Sequence, residues 1–284
     1  MRVDDPSDAR IQLYRSKSIR HHRDYHEQLQ RFRKEGVDPV VHGGRRAVKR
    51  MLEAMVAGAQ IEPLSFLTTP QLASEIFSNE ICPIFTADKA TLDAIRGQKL
   101  NAGDAVLALL HFPISQSLEK MIQKPPIMVL DNVRNSENIG SILRTAFCLG
   151  VTSIVTSKTT WRALDGRAAR VSMGTMYFHD FHLSDSLVKS IRQMKEVGIS
   201  TYAIEIGSEA RPIAPHGSDK NFAMILGNED KGMSEELLKE CDEVRFIPQA
   251  HGDSLNVGHA ASISLYTLVA ECGFASHDGK ACCK

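Results

Sequence analysis

Ile127-Met-Val-Leu-Asp-Asn-Val-Arg-Asn-Ser-Glu-Asn-Ile-Gly-Ser-Ile-Leu-Arg144 is the stretch on which the fold turns. Its first four residues are an apolar run with Pro125-Pro126 before it and Asp131-Asn132 after it. That is the pattern of a strand buried on both faces of a parallel sheet. A polar loop then leads into a helix near 138–149. There Asn138 can cap the helix, Gly140 removes a side chain from the first turn, and Arg144 stands further along. Strand, loop and helix in this order are the repeating unit of a parallel α/β domain.

The same alternation continues outward. Apolar runs at Ser153–Thr156, Ser200–Ile206, Phe222–Leu226 and Val244–Ile247 predict strands, and helical periodicity falls near 184–196, 234–241 and 257–272. Two further segments sit at predicted strand ends. Gly227-Asn-Glu-Asp-Lys-Gly232 follows strand 222–226, and its two glycines let the backbone turn sharply and come close to a ligand. Ile247-Pro248 ends another strand, and Ser254-Leu-Asn256 leads into a helix rich in small residues (Gly258, Ala260, Ala261, Ser262, Ser264) that can approach a neighbour closely. Each segment alone has an ordinary reading: a capped helix whose Arg144 meets a surface carboxylate, a common strand-to-helix loop, and a glutamate, Glu229, that caps the helix near Ser234 or pairs with an arginine across a dimer.

Upstream, a second strand–helix series predicts a smaller α/β unit. Strands at 40–41, 64–68, 83–85 and 105–110 alternate with helices at 45–55, 70–78 and 88–95. Residues 8–35 read as a polar helix that Gly36-Val-Asp-Pro39 breaks. The resulting division is a basic helical arm over 1–35, a first domain over 36–113, a linker over 114–125, a second domain over 126–274 and a tail over 275–284. The linker rests on the polar run before Pro125-Pro126, a pair that favours extended backbone.

The 284 residues carry 34 basic and 34 acidic side chains, yet residues 1–50 hold 13 Lys/Arg against 7 Asp/Glu, a net of +6 that leaves −6 for the rest. A surface with Arg15, Arg20, Arg45 and Arg46 is what phosphate contacts need, against the plainer reading of a solvated helix. No window approaches the roughly 18 consecutive apolar residues of a membrane span, and Asp4, Asp5 and Asp8 interrupt the N-terminus, so a soluble, cytoplasmic protein is expected. The six cysteines contain no C-x-x-C pair and read as reduced thiols, with Cys282-Cys283 in a frayed tail. His21, His22 and His26 have helical spacing but no acidic or sulfur partner nearby, so no metal is expected.

Taken together, the Asn138–Arg144, Gly227–Gly232 and Ile247/Ser254–Ala260 segments resemble the SpoU (TrmH-type) family of RNA ribose 2′-O-methyltransferases, within the knotted SPOUT class. The resemblance covers roughly residues 125 to 272. It implies a C-terminal α/β trefoil-knot domain with a parallel sheet, S-adenosylmethionine as cofactor, RNA as substrate and a homodimer. By the same resemblance Arg144 meets the ribose 2′-hydroxyl with Asn138 close by, and Glu229, Ser254 and Asn256 belong to the catalytic pocket. Ile206, Gly227, Ile247 and Leu255 are the implied cofactor contacts. Ser172-Met-Gly174 matches a family turn, which makes Arg167 and Arg170 candidate RNA contacts beside Arg15, Arg20, Arg45 and Arg46. The first domain resembles the L30e-like RNA-binding domain that precedes many such catalytic domains, with His42 where a glutamate is usual. Gly258, His259 and Gln249 also depart from the family pattern, and a glycine in a helix costs roughly 0.5–1 kcal/mol against alanine.

A guanidinium stays protonated at physiological pH and is a poor general base. Arg144 is therefore expected to orient the 2′-oxygen and stabilise charge developing on it. Ribosomal RNA is favoured over transfer RNA as substrate. Two competing readings are a knotted base methyltransferase and a non-catalytic RNA-binding assembly protein with a vestigial pocket. A dinucleotide-binding Rossmann protein is disfavoured, because no G-x-G-x-x-G follows an early strand.

Overall fold

In a computed structural model, residues 1–15, 30–31, 39–79, 81–101, 105–251 and 254–271 are described. They fall into two units, Met1–Ile114 with Asp165–Tyr177, and Ser115–Leu164 with Phe178–Lys284.

The first unit runs β1 (Val40–Gly43), α1 (Arg45–Val56), β2 (Glu62–Thr68), α2 (Pro70–Ile76), β3 (Ile84–Thr86), α3 (Lys89–Arg96) and β4 (Val106–His111). Its four-stranded sheet has the order β1-β4-β2-β3, with β4 antiparallel to both neighbours and β2 parallel to β3. The expected strands and helices of this region all form. Helix α1 buries Ala47, Val48, Met51 and Ala54, one stripe at helical spacing, and leaves its basic residues outside. Helix α3 is fixed at both ends, by Asp88 accepting from Thr91 N at 2.7 Å and by Gly97 in the left-handed region at φ 62°.

The polar helix expected over 8–35 begins differently. Residues Ala9–Tyr14 form a 3-10 helix capped by Asp8, and Ile11, Leu13 and Tyr14 are buried in the same core as Leu67, Leu92 and Leu107. The Tyr14 hydroxyl is hydrogen bonded to Ser65 Oγ at 2.8 Å. This stretch is therefore core packing, because its apolar residues alternate with the charged ones. Residues 16–29 and 32–38, including Arg20, His21, His22 and His26, lie outside the described residues.

Residues Asp165–Tyr177 also belong to the first unit, although the sequence reading places them in the domain over 126–274. Glycines permit this. A Cβ on Gly166 would lie 2.7 Å from the Val41 carbonyl oxygen, and one on Gly174 would lie 2.6 Å from Arg50 Cβ. His42 Nδ1 and the Tyr177 hydroxyl complete the join at 2.7 Å.

The second unit contains α4 (Leu118–Ile122), β5 (Ile127–Leu130), α5 (Ser136–Cys148), β6 (Ser153–Thr156), α6 (Lys158–Arg162), β7 (Asp180–Leu183), α8 (Leu187–Glu196), β8 (Ser200–Ile204), β9 (Arg211–Pro212), β10 (Phe222–Leu226), α9 (Glu235–Glu240), β11 (Glu243–Phe246) and α10 (Val257–Val269), with α7 (Gly166–Val171) lying in the first unit. Its seven-stranded sheet has the order β7-β6-β5-β10-β8-β11-β9 and is parallel throughout. Strand β10 enters late in the chain yet lies at the centre, which is why all five of its residues are buried. Burying side chains such as Ile225 and Leu226 stabilises the unit by roughly 1.5–3 kcal/mol each.

The expected linker over 114–125 is in part structured. Ser117 caps α4, and Leu118 and Met121 join the core formed by Ile127, Val129 and Ile191. Among the described residues no helix is long and apolar enough to cross a membrane, and Cys148 and Cys241 are free thiols.

Candidate active site at the strand ends

The carboxyl ends of β8, β10 and β11, together with the start of α5 and the approach to α10, enclose a cavity of about 880 Å³. Strand ends in a parallel sheet are where such a crevice forms, because the loops that connect to helices diverge there. Asn138, Glu229, Ser254 and Asn256 line it, as do Ile206, Gly227, Ile247 and Leu255. Arg144 does not. It is exposed on α5, on a face of the helix outside the cavity.

Side chains from all three sequence segments are joined here. Asn256 Nδ2 donates to Asn138 Oδ1 at 3.0 Å, and Asn138 Nδ2 donates to Glu229 Oε1 at 2.9 Å. The carboxylate can only accept, and Asn256 Oδ1 accepts from Gly258 N at 2.9 Å, so both amides are oriented without ambiguity. Glu229 also accepts from Asn228 Nδ2 at 3.3 Å and lies near the backbone N–H groups of Arg134 and Asn135 at 3.5 and 3.4 Å. Its negative charge thus faces the N-terminal end of α5, where the helix dipole favours it.

Two expectations change. Asn138 does not cap the helix: Asn135 does, accepting from Glu137 N and Asn138 N, which frees the Asn138 amide for Glu229. Glu229 does not cap the next helix either, since Ser234 does so itself by accepting from Leu237 N. Asn256 serves both as the cap of α10 and as a cavity wall.

Gly227 leaves no room for a side chain. Its Cβ would lie 2.7 Å from Met233 Cγ and 2.8 Å from the backbone of Gly232 and Met233. Gly232 adopts φ +64°, and a Cβ there would collide with Glu205. Glu205 holds this loop, accepting from Met233 N at 3.2 Å and from Ile206 N at 3.1 Å. Glu205, Asn228 and Arg134 line the cavity and were not singled out from sequence. The position of Glu205 at the end of an apolar strand was the available signal.

The apolar wall includes Ile204, Leu226, Phe246 and Val257, and at the mouth Ile206 and Leu255 stay 58% and 38% exposed. An apolar slot with a tight glycine turn and a polar end suits a flat heteroaromatic ring carrying a polar chain. Gly258 is buried against α5, and a Cβ there would press most on the capping Asn256 Oδ1 at 3.1 Å while meeting Ser141 Cβ at an ordinary 3.5 Å. Ser262 Oγ and Thr145 Oγ1 meet at 3.0 Å along the same seam, while His259 is exposed.

Of the expected RNA contacts, Arg45 is ion-paired with Glu75, and Arg15 donates to the Pro6 carbonyl oxygen at 2.9 Å. Arg46, Arg167 and Arg170 are exposed. In the first unit Arg45, Arg46, Lys49, Arg50 and Arg170 line a second cavity of about 550 Å³. Among the described residues no group of three His, Cys, Asp or Glu side chains is placed to hold a metal ion.

The SpoU rRNA Methylase family matches residues 125–266, half of the chain. The chain is 29% identical over 164 residues to the 23S rRNA (guanosine(2553)-2′-O)-methyltransferase RlmP of Bacillus subtilis, a match that covers 57% of this chain and 64% of that protein. It is 28% identical over 242 residues to a Staphylococcus haemolyticus protein assigned to the TrmH family of tRNA/rRNA methyltransferases, covering 82% of this chain and 96% of the relative. Among solved structures, an rRNA methyltransferase from Sinorhizobium meliloti superposes with a TM-score of 0.72 at 19% identity, over 95% of this chain and 97% of that one. The SpoU methyltransferase AviRb from Streptomyces viridochromogenes gives 0.70 at 18% identity, over 93% and 98%. The parallel-sheet fold is that of these SpoU/SPOUT methyltransferases, and the chain belongs to the SpoU rRNA methylase family.

Proposed function

We propose that the protein transfers a methyl group from S-adenosylmethionine to a ribose 2′-hydroxyl of RNA, with ribosomal RNA favoured over transfer RNA. The observation that carries this reading is the hydrogen-bonded chain Asn256–Asn138–Glu229, which draws all three segments onto one cavity. Gly227, Ile206, Ile247 and Leu255 are the residues that would hold the cofactor, through a close backbone turn and apolar walls. Bound there, it supplies an electrophilic methyl on a positively charged sulfur.

What remains for the chain is alignment. Asn138, Ser254 and Asn256 offer amide and hydroxyl groups to ribose and phosphate at the polar end of the cavity. Arg144 orients the 2′-oxygen and stabilises its developing charge, while the proton passes to a phosphate oxygen or water. Because Arg144 lies exposed on α5 outside this cavity, its role needs a second copy of the chain to bring it there, so the homodimer belongs to the proposal; Ile263 and Tyr266 of α10, 42% and 59% exposed, are apolar surface such a copy could cover. The first unit is read as an L30e-like RNA-binding domain that uses Arg45, Arg46 and Arg170. The guanosine 2′-O specificity in the name of the Bacillus relative supports ribose over base and ribosomal over transfer RNA.

The test is transfer of labelled methyl to unmodified RNA, followed by alkaline hydrolysis, which cannot cut after a 2′-O-methylated ribose. Label on alkali-resistant dinucleotides supports the proposal. Label on a base, or no binding of S-adenosylhomocysteine by calorimetry, overturns it.

A further inference from the structure

Beside the cavity just described, at the carboxyl ends of β5, β6 and β7, lies another of about 540 Å³ in the same unit. The two are divided by the loop after β10 and share Arg134, Asn228 and Lys231 as walls. Its volume falls in the roughly 300–1,000 Å³ range of small-molecule sites.

Asp131 lines this cavity and is only 7% exposed. Its Oδ1 accepts from Asn132 Nδ2 at 2.7 Å, and Oδ2 takes no hydrogen bond among the described residues. Oδ2 is not among the fully buried atoms that lack a partner, so it opens into the cavity, and partial burial raises this carboxyl above the usual range. The backbone is held to present it. Asn132 adopts φ 53°, its N–H donates to Ser157 Oγ at 2.9 Å, and its carbonyl accepts from Asn228 Nδ2 at 2.8 Å. A left-handed residue clamped from two sides is a feature that functional loops carry.

The charge around it has the opposite sign. Arg134, Lys158 and Lys231 line the cavity against Asp131 and Asp185, and none of the three cations has an ion-pair partner among the described residues. A ligand that fits must present a hydrogen-bond donor to Asp131 and negative charge to the cations. A nucleotide does both. Of the four bases guanine alone carries adjacent N1–H and N2–H donors that a carboxylate can take together.

We infer that this cavity is a subsite for a guanine nucleotide of the substrate RNA strand, next to the ribose that is methylated. The inference rests on the RNA methyltransferase reading. A strand whose acceptor ribose lies at Asn138 and Glu229 reaches this cavity by crossing the shared wall at Arg134 and Lys231. Asp131 reads the base, and Lys158 on the far side meets a phosphate.

The experiment uses the full chain saturated with S-adenosylhomocysteine, so that nucleotides cannot bind in the cofactor's place. Titration calorimetry with the four nucleoside 5′-monophosphates should show GMP binding about tenfold tighter than the others, the scale of one paired base contact. Asp131→Asn, which keeps the shape of the side chain, should abolish that preference with S-adenosylhomocysteine affinity unchanged. The exposed Lys158→Ala should weaken all four by a similar factor. A trinucleotide with central guanosine should bind more tightly than GMP. Loss of S-adenosylhomocysteine binding in the wild type would sink the methyltransferase reading by itself. With it bound, equal affinity for the four nucleotides, an unchanged preference in Asp131→Asn, or a trinucleotide no tighter than GMP would overturn the subsite.

Discussion

The side-chain amide of Asn138 donates to Glu229 Oε1 at 2.9 Å and so links the first turn of α5 to the loop after β10. Because the same amide accepts from Asn256 at 3.0 Å, it is the middle member of the chain that closes the cavity. Asn138→Ala removes both bonds and leaves Glu229 short of a donor. Hydrogen bonds to charged groups are worth about 1.5–3 kcal/mol. The expected outcome is a methyl-transfer rate about tenfold lower or worse, with a fall in Tm measurable by scanning calorimetry. Asn138→Asp should be more damaging, since it sets two carboxylates against each other. Equal activity for Asn138→Asp and wild type would show that the linkage is incidental.

Gly227 tests the loop in a different way. A methyl group there meets the Gly232–Met233 backbone at 2.8 Å, so even Gly227→Ala must displace the loop that walls the cavity. Affinity for S-adenosylhomocysteine should drop about tenfold or more, the scale of 1–3 kcal/mol for overpacking. Calorimetric titration of the variant decides it, and unaltered affinity would place the cofactor elsewhere.

How far these features could be read from residues alone differs by element. Runs such as Phe222–Leu226 are apolar throughout because both faces of the central strand are covered, and that pattern is visible without coordinates. Strand β7, at the sheet edge, alternates buried Phe181 with half-buried neighbours over four residues, too short to stand out. Helix α4 falls in a stretch that reads as linker, because Leu118, Met121 and Ile122 are the few apolar residues of a polar run and their burial depends on the core they meet. In the site, Asn135 and Asn138 are both plausible caps three residues apart, and only the position of Glu229 tells which is which. The placement of Asp165–Tyr177 in the first unit is tertiary information, carried by what Gly166 and Gly174 face.

Acid should destabilise the protein through buried histidines. His42 is fully buried against Tyr177, and desolvation lowers its pKa from 6.5 to about 4; His179, also buried, is lowered to about 4. A histidine with a lowered folded pKa binds fewer protons in the native than in the unfolded state between those values. Stability is therefore full above pH 6.5 and falls as pH drops toward 4. Each group accounts for on the order of 3 kcal/mol at the acid end. His42→Gln, which can keep a bond to Tyr177, should flatten part of this slope in urea midpoints measured from pH 7 to 4. An identical slope in the variant would assign the acid sensitivity to carboxylates.

Arg144 separates chemistry from binding. It lies on α5 outside the cavity that holds the proposed cofactor contacts, so its removal should leave S-adenosylhomocysteine affinity as it is. Arg144→Ala should lower methyl transfer about a hundredfold or more, the scale seen when a preorganised charge-stabilising donor is lost. Arg144→Lys should restore only part of the rate. A lysine keeps the charge but lacks the planar fork that can hold the ribose oxygen and a phosphate together. Because the side chain is exposed on a helix face, neither change should cost the fold, and matching Tm values would exclude unfolding as the cause. Full transfer activity in Arg144→Ala, assayed with labelled methyl on unmodified RNA, would remove this residue from the mechanism.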